Sequence, residues 1–163
     1  MERFFKTVPS PLGDLKVVAS DRGLTAILWP NDDPKRVRLG DLVECPGHPI
    51  LRHAEQQLQG YFVGTREAFE IDLDFVGTPF QKRVWEQLLA IPFGETRSYA
   101  QIAGAIGNAK AVRAVGAATG KNPISIVAPC HRVIGSDGSM TGFAGGVEAK
   151  RTLLSHEGRA YAA

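Results

Sequence analysis

Cys130 and His131 stand side by side in the run Asn122-Pro123-Ile124-Ser125-Ile126-Val127-Ala128-Pro129-Cys130-His131-Arg132-Val133, and that pair of residue types is equipped for nucleophilic chemistry. A thiol attacks as its thiolate, so a reactive cysteine needs positive charge or a proton acceptor close by, and His131 and Arg132 supply both. Free cysteines are commonly inert, small core residues. What sets Cys130 apart is the succession of Pro, Cys, His and Arg. In an extended segment adjacent side chains point to opposite faces, so a bridging water or a turn at Cys130 is needed to connect thiol and imidazole. A histidine base also needs a third group to fix its tautomer, and Glu157 is the candidate. It ends a helix expected over Val147 to Glu157, capped by Gly158, where a carboxylate opposes the macrodipole and calls for a partner elsewhere. A frayed surface glutamate is the alternative.

Several elements must position these groups. Ile124 and Ile126 with their apolar neighbours suggest a buried strand, and Pro129 forbids helix at Ala128, so Cys130 is expected where that strand stops. Upstream, Thr78 as N-cap and Pro79 at the first helical position open a helix with the apolar stripe Phe80, Val84, Trp85, Leu88 and Leu89, closed by Pro92-Phe93-Gly94. Ser98-Tyr99-Ala100-Gln101 is a capping-box pattern, predicting a short helix to about Ile106 with Gly107 in its left-handed cap. After the turn Gly107-Asn108-Ala109 a third helix is expected from Lys110 to about Thr119. Two short helices across a glycine-containing turn outline a helix-turn-helix. Ala109, Ala111, Ala114, Gly116, Ala117, Ala118 and Gly120 keep the third helix slim, while Lys110, Arg113 and Lys121 make it positive. Close packing on its own core and docking into a DNA groove explain a slim helix equally well.

The first part of the chain reads differently. Phe4 to Leu28 forms a meander of short strands with turns at Ser10-Pro11-Leu12-Gly13-Asp14 and Asp21-Arg22-Gly23. Asn31 to Pro49, with five charges between Asp32 and Arg38 and three prolines, reads as loop. Ile50, Ala54, Leu58 and Tyr61/Phe62 predict a helix over Ile50 to Phe62. Phe69, Ile71, Leu73 and Phe75 alternate with Glu70, Asp72 and Asp74, predicting a strand with one acidic, wet face. Gly77 is the expected boundary, giving domains over 1–76 and 77–163.

Composition narrows the function classes. With 163 residues, 44% hydrophobic and 22% charged, the chain has the makings of one ordinary domain or two small ones. There is no run of about 18 apolar residues, and the start MERFFKTVPS lacks a long apolar stretch, so neither a membrane span nor a secretory signal is expected. Two cysteines, Cys45 and Cys130, make no disulfide framework. A cytoplasmic protein with reduced thiols is the expectation. Residues 1–75 carry 9 Lys and Arg against 12 Asp and Glu, and residues 76–163 carry 10 against 5, so the back half alone is basic, which suits a polyanion such as DNA. That half also holds 12 of the 18 glycines.

Pro129-Cys130-His131-Arg132-Val133, preceded by Asn122-Pro123 and followed by Thr141-Gly142-Phe143-Ala144-Gly145-Gly146 and Leu153-Leu154-Ser155-His156-Glu157-Gly158, resembles the O6-alkylguanine-DNA alkyltransferase family, the methylated-DNA:protein-cysteine methyltransferases. The likeness continues upstream through Phe80-Gln81-Lys82-Arg83-Val84-Trp85, Ile91-Pro92-Phe93-Gly94-Glu95-Thr96, Ser98-Tyr99 and Val112-Arg113-Ala114-Val115-Gly116, covering about residues 75 to 158. It implies an N-terminal α/β domain, a small antiparallel sheet with a helix and ribonuclease H-like, then a mostly α C-terminal domain with a winged helix-turn-helix.

The activity it implies is direct-reversal DNA repair. One alkyl group would pass irreversibly from O6-alkylguanine, and by extension O4-alkylthymine, to Cys130, with no cofactor. The helix-turn-helix would enter the minor groove of double-stranded DNA with Lys110, Ala111, Arg113, Ala114 and Lys121 at the surface, and Arg113 would fill the gap left by the flipped base. His131 would act through water, oriented by Glu157, and Tyr99 would donate to the leaving guanine. Asn122 matches a structural hinge. Val133, Phe143 and Ala144, with the backbone of Cys130, match positions that hold the base. Phe143 departs from the tyrosine common there, which keeps an apolar wall and removes a hydroxyl. Some members bind structural zinc in the N-terminal domain; here only Cys45, His48 and His53 are at hand, and about four ligands are needed, so no metal is expected. A monomer is expected in solution, with cooperativity on DNA left open. A Cys-His hydrolase, which would turn over, and a non-catalytic DNA-binding module are the competing readings.

Overall fold

Strands β1 (Phe4–Val8), β2 (Leu15–Ser20) and β3 (Gly23–Leu28) form the expected antiparallel meander in a computed structural model that describes residues 1–140 and 142–158. The chain divides into two compact units, Met1–Val76 and Gly77–Ala163.

In the first unit a fourth strand, β4 (Val43–Glu44), adds to β1 in parallel, so the sheet order is β3-β2-β1-β4. It lies in the stretch read as loop. Two residues among prolines and charges carry no periodic signal, and their pairing comes from the backbone, with Val43 N donating to Arg3 O and Cys45 N to Phe5 O. Helix α1 (Pro49–Val63) packs on this sheet through Leu51, Ala54, Leu58 and Tyr61, all buried. It starts one residue before the expected position because His48 caps it, its ring nitrogen accepting from Ile50 N at 3.3 Å, and Pro49 takes the first helical position.

The strand expected over Phe69 to Phe75 is reduced to a single bridge, Leu73 with Leu24. Partly buried and exposed side chains alternate from Phe69 to Leu73, but Asp74 is partly buried, its carboxylate accepting from Ser20 Oγ at 2.6 Å, and the segment pairs with β3 at that bridge alone. Gln57 of α1 holds the backbone of Glu70 at both ends, Nε2 donating to its carbonyl at 2.8 Å and Oε1 accepting from its N–H at 2.9 Å. Two hydrogen bonds then clip the segment to β3, Leu24 N to Asp72 O and Asp74 N to Leu24 O. Gly23 makes this approach possible, since a Cβ there would lie 2.7 Å from the carbonyl oxygen of Asp72.

The second unit is helical. Helix α2 (Pro79–Leu89) opens on a capping box between Thr78 and Gln81. A two-residue strand β5 (Arg97–Ser98) leads into α3 (Tyr99–Ala105), again capped reciprocally, by Ser98 and Gln101. Gly107 ends it with φ +81. Helix α4 (Val112–Gly120) begins two residues later than expected, with Ala111 at the cap position and no side chain serving as cap. Lys110 and Ala111 are therefore in the turn and not in the helix. Trp85 on α2 ties these helices together, its indole donating to Ala118 O at 2.8 Å. Strand β6 (Val133–Ile134) pairs in parallel with β5, and α5 (Val147–His156) closes the unit.

No strand runs through Ile124 and Ile126. Val127 N donates to Ser125 O across Ile126, whose φ is +74, the rare and strained form of the γ-turn. Pro129, at φ −80 and ψ 68, forms the common inverse form, with Cys130 N donating to Ala128 O. Isoleucine in the left-handed region is unfavourable, so its burial and apolar run gave every sign of a strand. The backbone is held in this path by Asn122, which is buried: its Nδ2 donates to Ala128 O at 2.8 Å and its Oδ1 accepts from Ile124 N at 3.1 Å.

Candidate active site and nucleic-acid interface

The two γ-turns deliver Cys130 as the first residue of a 3-10 turn, Cys130–Arg132, in which Val133 N donates to Cys130 O. This is the turn that the sequence offered as one of two ways to connect thiol and imidazole. Cys130 is buried, 6% exposed. His131 is wholly buried, and its Nε2 lies 2.8 Å from Glu157 Oε2.

Glu157 occupies the C-cap position of α5, where its charge faces the negative end of the helix. Arg132 offsets this with a fork, Nε donating to Oε1 at 2.7 Å and Nη2 to Oε2 at 2.9 Å. The same guanidinium donates through Nη1 to Ile91 O at 2.6 Å and lies 5.8 Å from the ring centroid of Phe93. One buried carboxylate thus orders both residues that follow the cysteine, and the surface alternative for Glu157 is excluded by its burial.

Burial holds the His131 pKa below the usual 6.5, outweighing the hydrogen bond and charge of Glu157 that act to raise it, and Arg132 and Lys150 depress it further. The ring is therefore neutral near pH 7. A carboxylate only accepts, so Nε2 carries the proton and Nδ1 is left with a lone pair. Among the described residues Nδ1 has no hydrogen-bond partner. A neutral imidazole with an unoccupied basic nitrogen, held by a carboxylate on its far side, is arranged to accept a proton.

Tyr99, Phe143 and Ala144 converge on a cavity of about 450 Å³ completed by Val112, Gly116, Gly120 and Gly142. Its walls are predominantly apolar, and three of them are bare glycine backbone. Tyr99 is half-buried at the start of α3, and Gly116 of α4 approaches its ring closely enough that a Cβ would sit 3.9 Å from Cδ1. Val133 is buried on β6. Thr141 lies outside the described residues.

Helix α4 buries Val115, Ala118 and Thr119, and turns Val112, Arg113, Ala114, Ala117 and Gly120 outward. Most of its small residues are thus on the outside, and the helix is not slim merely to fit its own core. Lys110 and Lys121 are exposed at either end, and Ala111 is half-buried.

Two residues of the site carried little signal in sequence. Arg132 was legible only as a nearby charge. Lys150 is 1% exposed and donates to Val133 O at 2.6 Å. Its sign was its place on the stripe Ala149, Leu153 and Leu154, where a charge on an apolar helix face is out of character.

Fold and site together define a two-unit helix-turn-helix protein built around a buried cysteine–histidine–carboxylate cluster. Family models agree over nearly the whole chain: that of the 6-O-methylguanine DNA methyltransferase DNA binding domain matches residues 79–159, and that of the ribonuclease-like domain matches residues 4–75. The chain belongs to the 6-O-methylguanine DNA methyltransferase family. A methylated-DNA–protein-cysteine methyltransferase of Mycobacterium tuberculosis (strain ATCC 25618 / H37Rv) is 44% identical over 155 residues, covering 94% of this chain and 91% of that protein. The constitutive enzyme of that name from Bacillus subtilis (strain 168) is 43% identical over 162 residues, covering 97% of each. The crystal structure of Mycobacterium tuberculosis OGT in complex with DNA superposes with a TM-score of 0.85 at 44% identity, covering 96% of this chain and 94% of that one. Among the described residues no helix is long and apolar enough to cross a membrane.

Proposed function

We propose that this protein repairs alkylated DNA by direct reversal, Cys130 accepting the alkyl group of O6-alkylguanine in a single, irreversible step. The observation that carries the reading is the His131–Glu157 contact beside Cys130 on one 3-10 turn. In the reaction the thiol proton leaves through water for His131 Nδ1, and the sulfur attacks the alkyl carbon. A sulfur–carbon bond forms as the carbon–O6 bond breaks. Its electron pair stays on the guanine, which takes up a proton donated from the Tyr99 hydroxyl, and the proton held on His131 returns through water to the tyrosinate, so that overall one proton passes from thiol to guanine. The thioether product has no route back to a thiol, so the protein acts once.

The apolar cavity around Tyr99, Phe143 and Ala144 is of the right character to receive an unstacked base, and its glycine backbone allows close approach. The outward face of α4 supports minor-groove entry. Its alanines and glycine would let backbone come near the duplex, and Arg113, exposed on that face, would fill the gap left by the flipped base. Lys110 and Lys121 flank that face as phosphate contacts. The M. tuberculosis relative in complex with DNA supports DNA as a partner for this chain. Activity as a monomer is part of the same reading.

The test is stoichiometry. Incubated with duplex DNA carrying O6-methylguanine, the protein should gain one methyl on Cys130, seen by intact mass and peptide mapping, and then stop. Label on Cys45 would reject the assignment, and sustained turnover would favour a hydrolase.

A further inference from the structure

Helix α2 packs on both helices of the helix-turn-helix and supplies a donor to a carbonyl at the end of each. Trp85 donates to Ala118 O in the last turn of α4, and two residues earlier Arg83 donates through Nη2 to Ile106 O at the end of α3. The second bond brings charge to a place that favours it. The last carbonyls of a helix have no partner within it and carry partial negative charge, and α3 has no basic residue in its own last turn. At seven residues α3 is also too short to persist by propensity alone. Arg83 thus closes α3 from outside, just before the turn 107–111 leads into α4.

That turn sets where α4 begins. Gly107 N donates back to Gly104 O and Asn108 N to Ala103 O, so its first half extends α3, and Ala111 N donates to Asn108 O, which ties the second half to the first. No side chain caps α4 at Ala111. Trp85 therefore pins the C-terminal end of α4 directly, while the N-terminal end, with Lys110 and Arg113, is reached through the turn behind Arg83. We infer that Arg83 is a positioning residue for DNA engagement, setting through the Ile106 carbonyl the direction in which α4 presents Lys110 and Arg113 to a duplex. Arg83 itself touches neither DNA nor substrate in this scheme. Its exposure would equally suit a phosphate contact, but the two roles separate by salt: a phosphate contact releases a counterion, and a bond to a carbonyl of the protein does not. The inference rests on the repair reading, in which α4 is the helix that enters DNA.

The experiment compares single-turnover methyl transfer to Cys130 of the full chain from duplex DNA carrying O6-methylguanine and from free O6-methylguanine, together with duplex affinity across a range of salt. Arg83→Met keeps the stem of the side chain and removes the donor. At saturating duplex its rate should fall about three- to tenfold, the net worth of one hydrogen bond expressed as a rate, while the free-base rate stays within about twofold of wild type. Duplex affinity should weaken with the salt slope of the wild type, and amide exchange at Gly107 and Asn108 should quicken while that at Val133 does not change. Arg83→Lys should recover part of the duplex rate. Equal losses on both substrates, or wild-type rates on both, overturn the inference. A salt slope reduced by about one does so too, since it marks a phosphate contact. Should Arg83→Met not fold, Arg83→Gln carries the same comparison with an uncharged amide of shorter reach, and the absence of a split between duplex and free base overturns the inference. If the wild type takes up no methyl from either substrate, the repair reading fails by itself. Arg83 is then judged on duplex affinity and amide exchange, and an Arg83→Met unchanged in both overturns the inference.

Discussion

Oε2 of Glu157 lies 2.8 Å from Nε2 of His131, with both side chains fully shielded from solvent. A single carboxylate at the end of α5 thereby fixes which imidazole nitrogen holds the proton, and the fork from Arg132 fixes the carboxylate. Glu157→Ala removes both restraints and leaves the guanidinium of Arg132 buried without its counter-charge. Stability should fall by about 3–5 kcal/mol, the usual consequence of breaking a buried pair from one side. Glu157→Gln keeps the shape but can offer Nε2–H only one oxygen, and its alkyl-transfer rate should fall about a hundredfold with a smaller loss of stability. Denaturant unfolding and single-turnover transfer to Cys130 measure the two. A full-rate Glu157→Gln would remove Glu157 from the reaction.

The buried imidazole also imposes a pH dependence on folding. His131 titrates near 6.5 in the unfolded chain and lower in the folded one, so the unfolded state binds the extra proton as pH falls. Stability from this group is thus undiminished above pH 6.5 and is lost below it, down to the depressed folded value. The loss amounts to about 1.4 kcal/mol for each pH unit inside that window. Denaturant titrations of wild type and His131→Asn at pH 7.5 and 5.5 test it. The wild type should lose more stability between the two than the variant, and equal losses would mean that the fold does not lower the pKa of the ring.

Asn122 secures the path of the segment that carries Cys130. It supplies a donor to Ala128 O and an acceptor to Ile124 N while fully buried. Asn122→Ala leaves the buried N–H of Ile124 unsatisfied beside the strained Ile126 and takes from Ala128 O one of its two donors, Cys130 N being the other, and thermal unfolding should show a loss of about 1–3 kcal/mol. Asn122→Asp keeps the acceptor and replaces the donor with a second acceptor, so it should rescue little. A near-neutral Asn122→Ala would mean that the γ-turns hold by themselves.

How far the sequence alone reached follows from where information is local. Both capping boxes, at Thr78/Gln81 and Ser98/Gln101, involve residues three apart, and the helices they start were legible. Glu157 was legible by contradiction, as a carboxylate at the wrong end of a helix. The path from Asn122 to Cys130 was not, because an apolar run with Ile124 and Ile126 reads the same in a strand and in consecutive γ-turns; the difference is made by a side-chain amide six residues from its carbonyl. β4 escaped notice because parallel pairing with β1 is a long-range property of two residues. Lys150 was hidden for a similar reason, since its acceptor lies 17 positions away.

Arg113 separates the two jobs of the second unit. It is exposed on α4, outside the buried cluster around Cys130 and outside the set of residues that line the Tyr99 cavity. Its loss should therefore leave the chemistry on a free base untouched while disturbing the extrusion of a base from a duplex, a step that has a cost only when the base is stacked and paired. Arg113→Ala should transfer methyl from free O6-methylguanine at close to the wild-type rate. On duplex DNA its rate should drop by an order of magnitude or more, an effect of about 1–3 kcal/mol. Lys121→Ala, at the end of the same helix, should instead weaken duplex binding in proportion to salt without a selective loss of the transfer step. Single-turnover rates on both substrates, at two salt concentrations, give all of these numbers. Equal losses by Arg113→Ala on free base and duplex would show that the side chain acts on the site itself and takes no part in displacing the base.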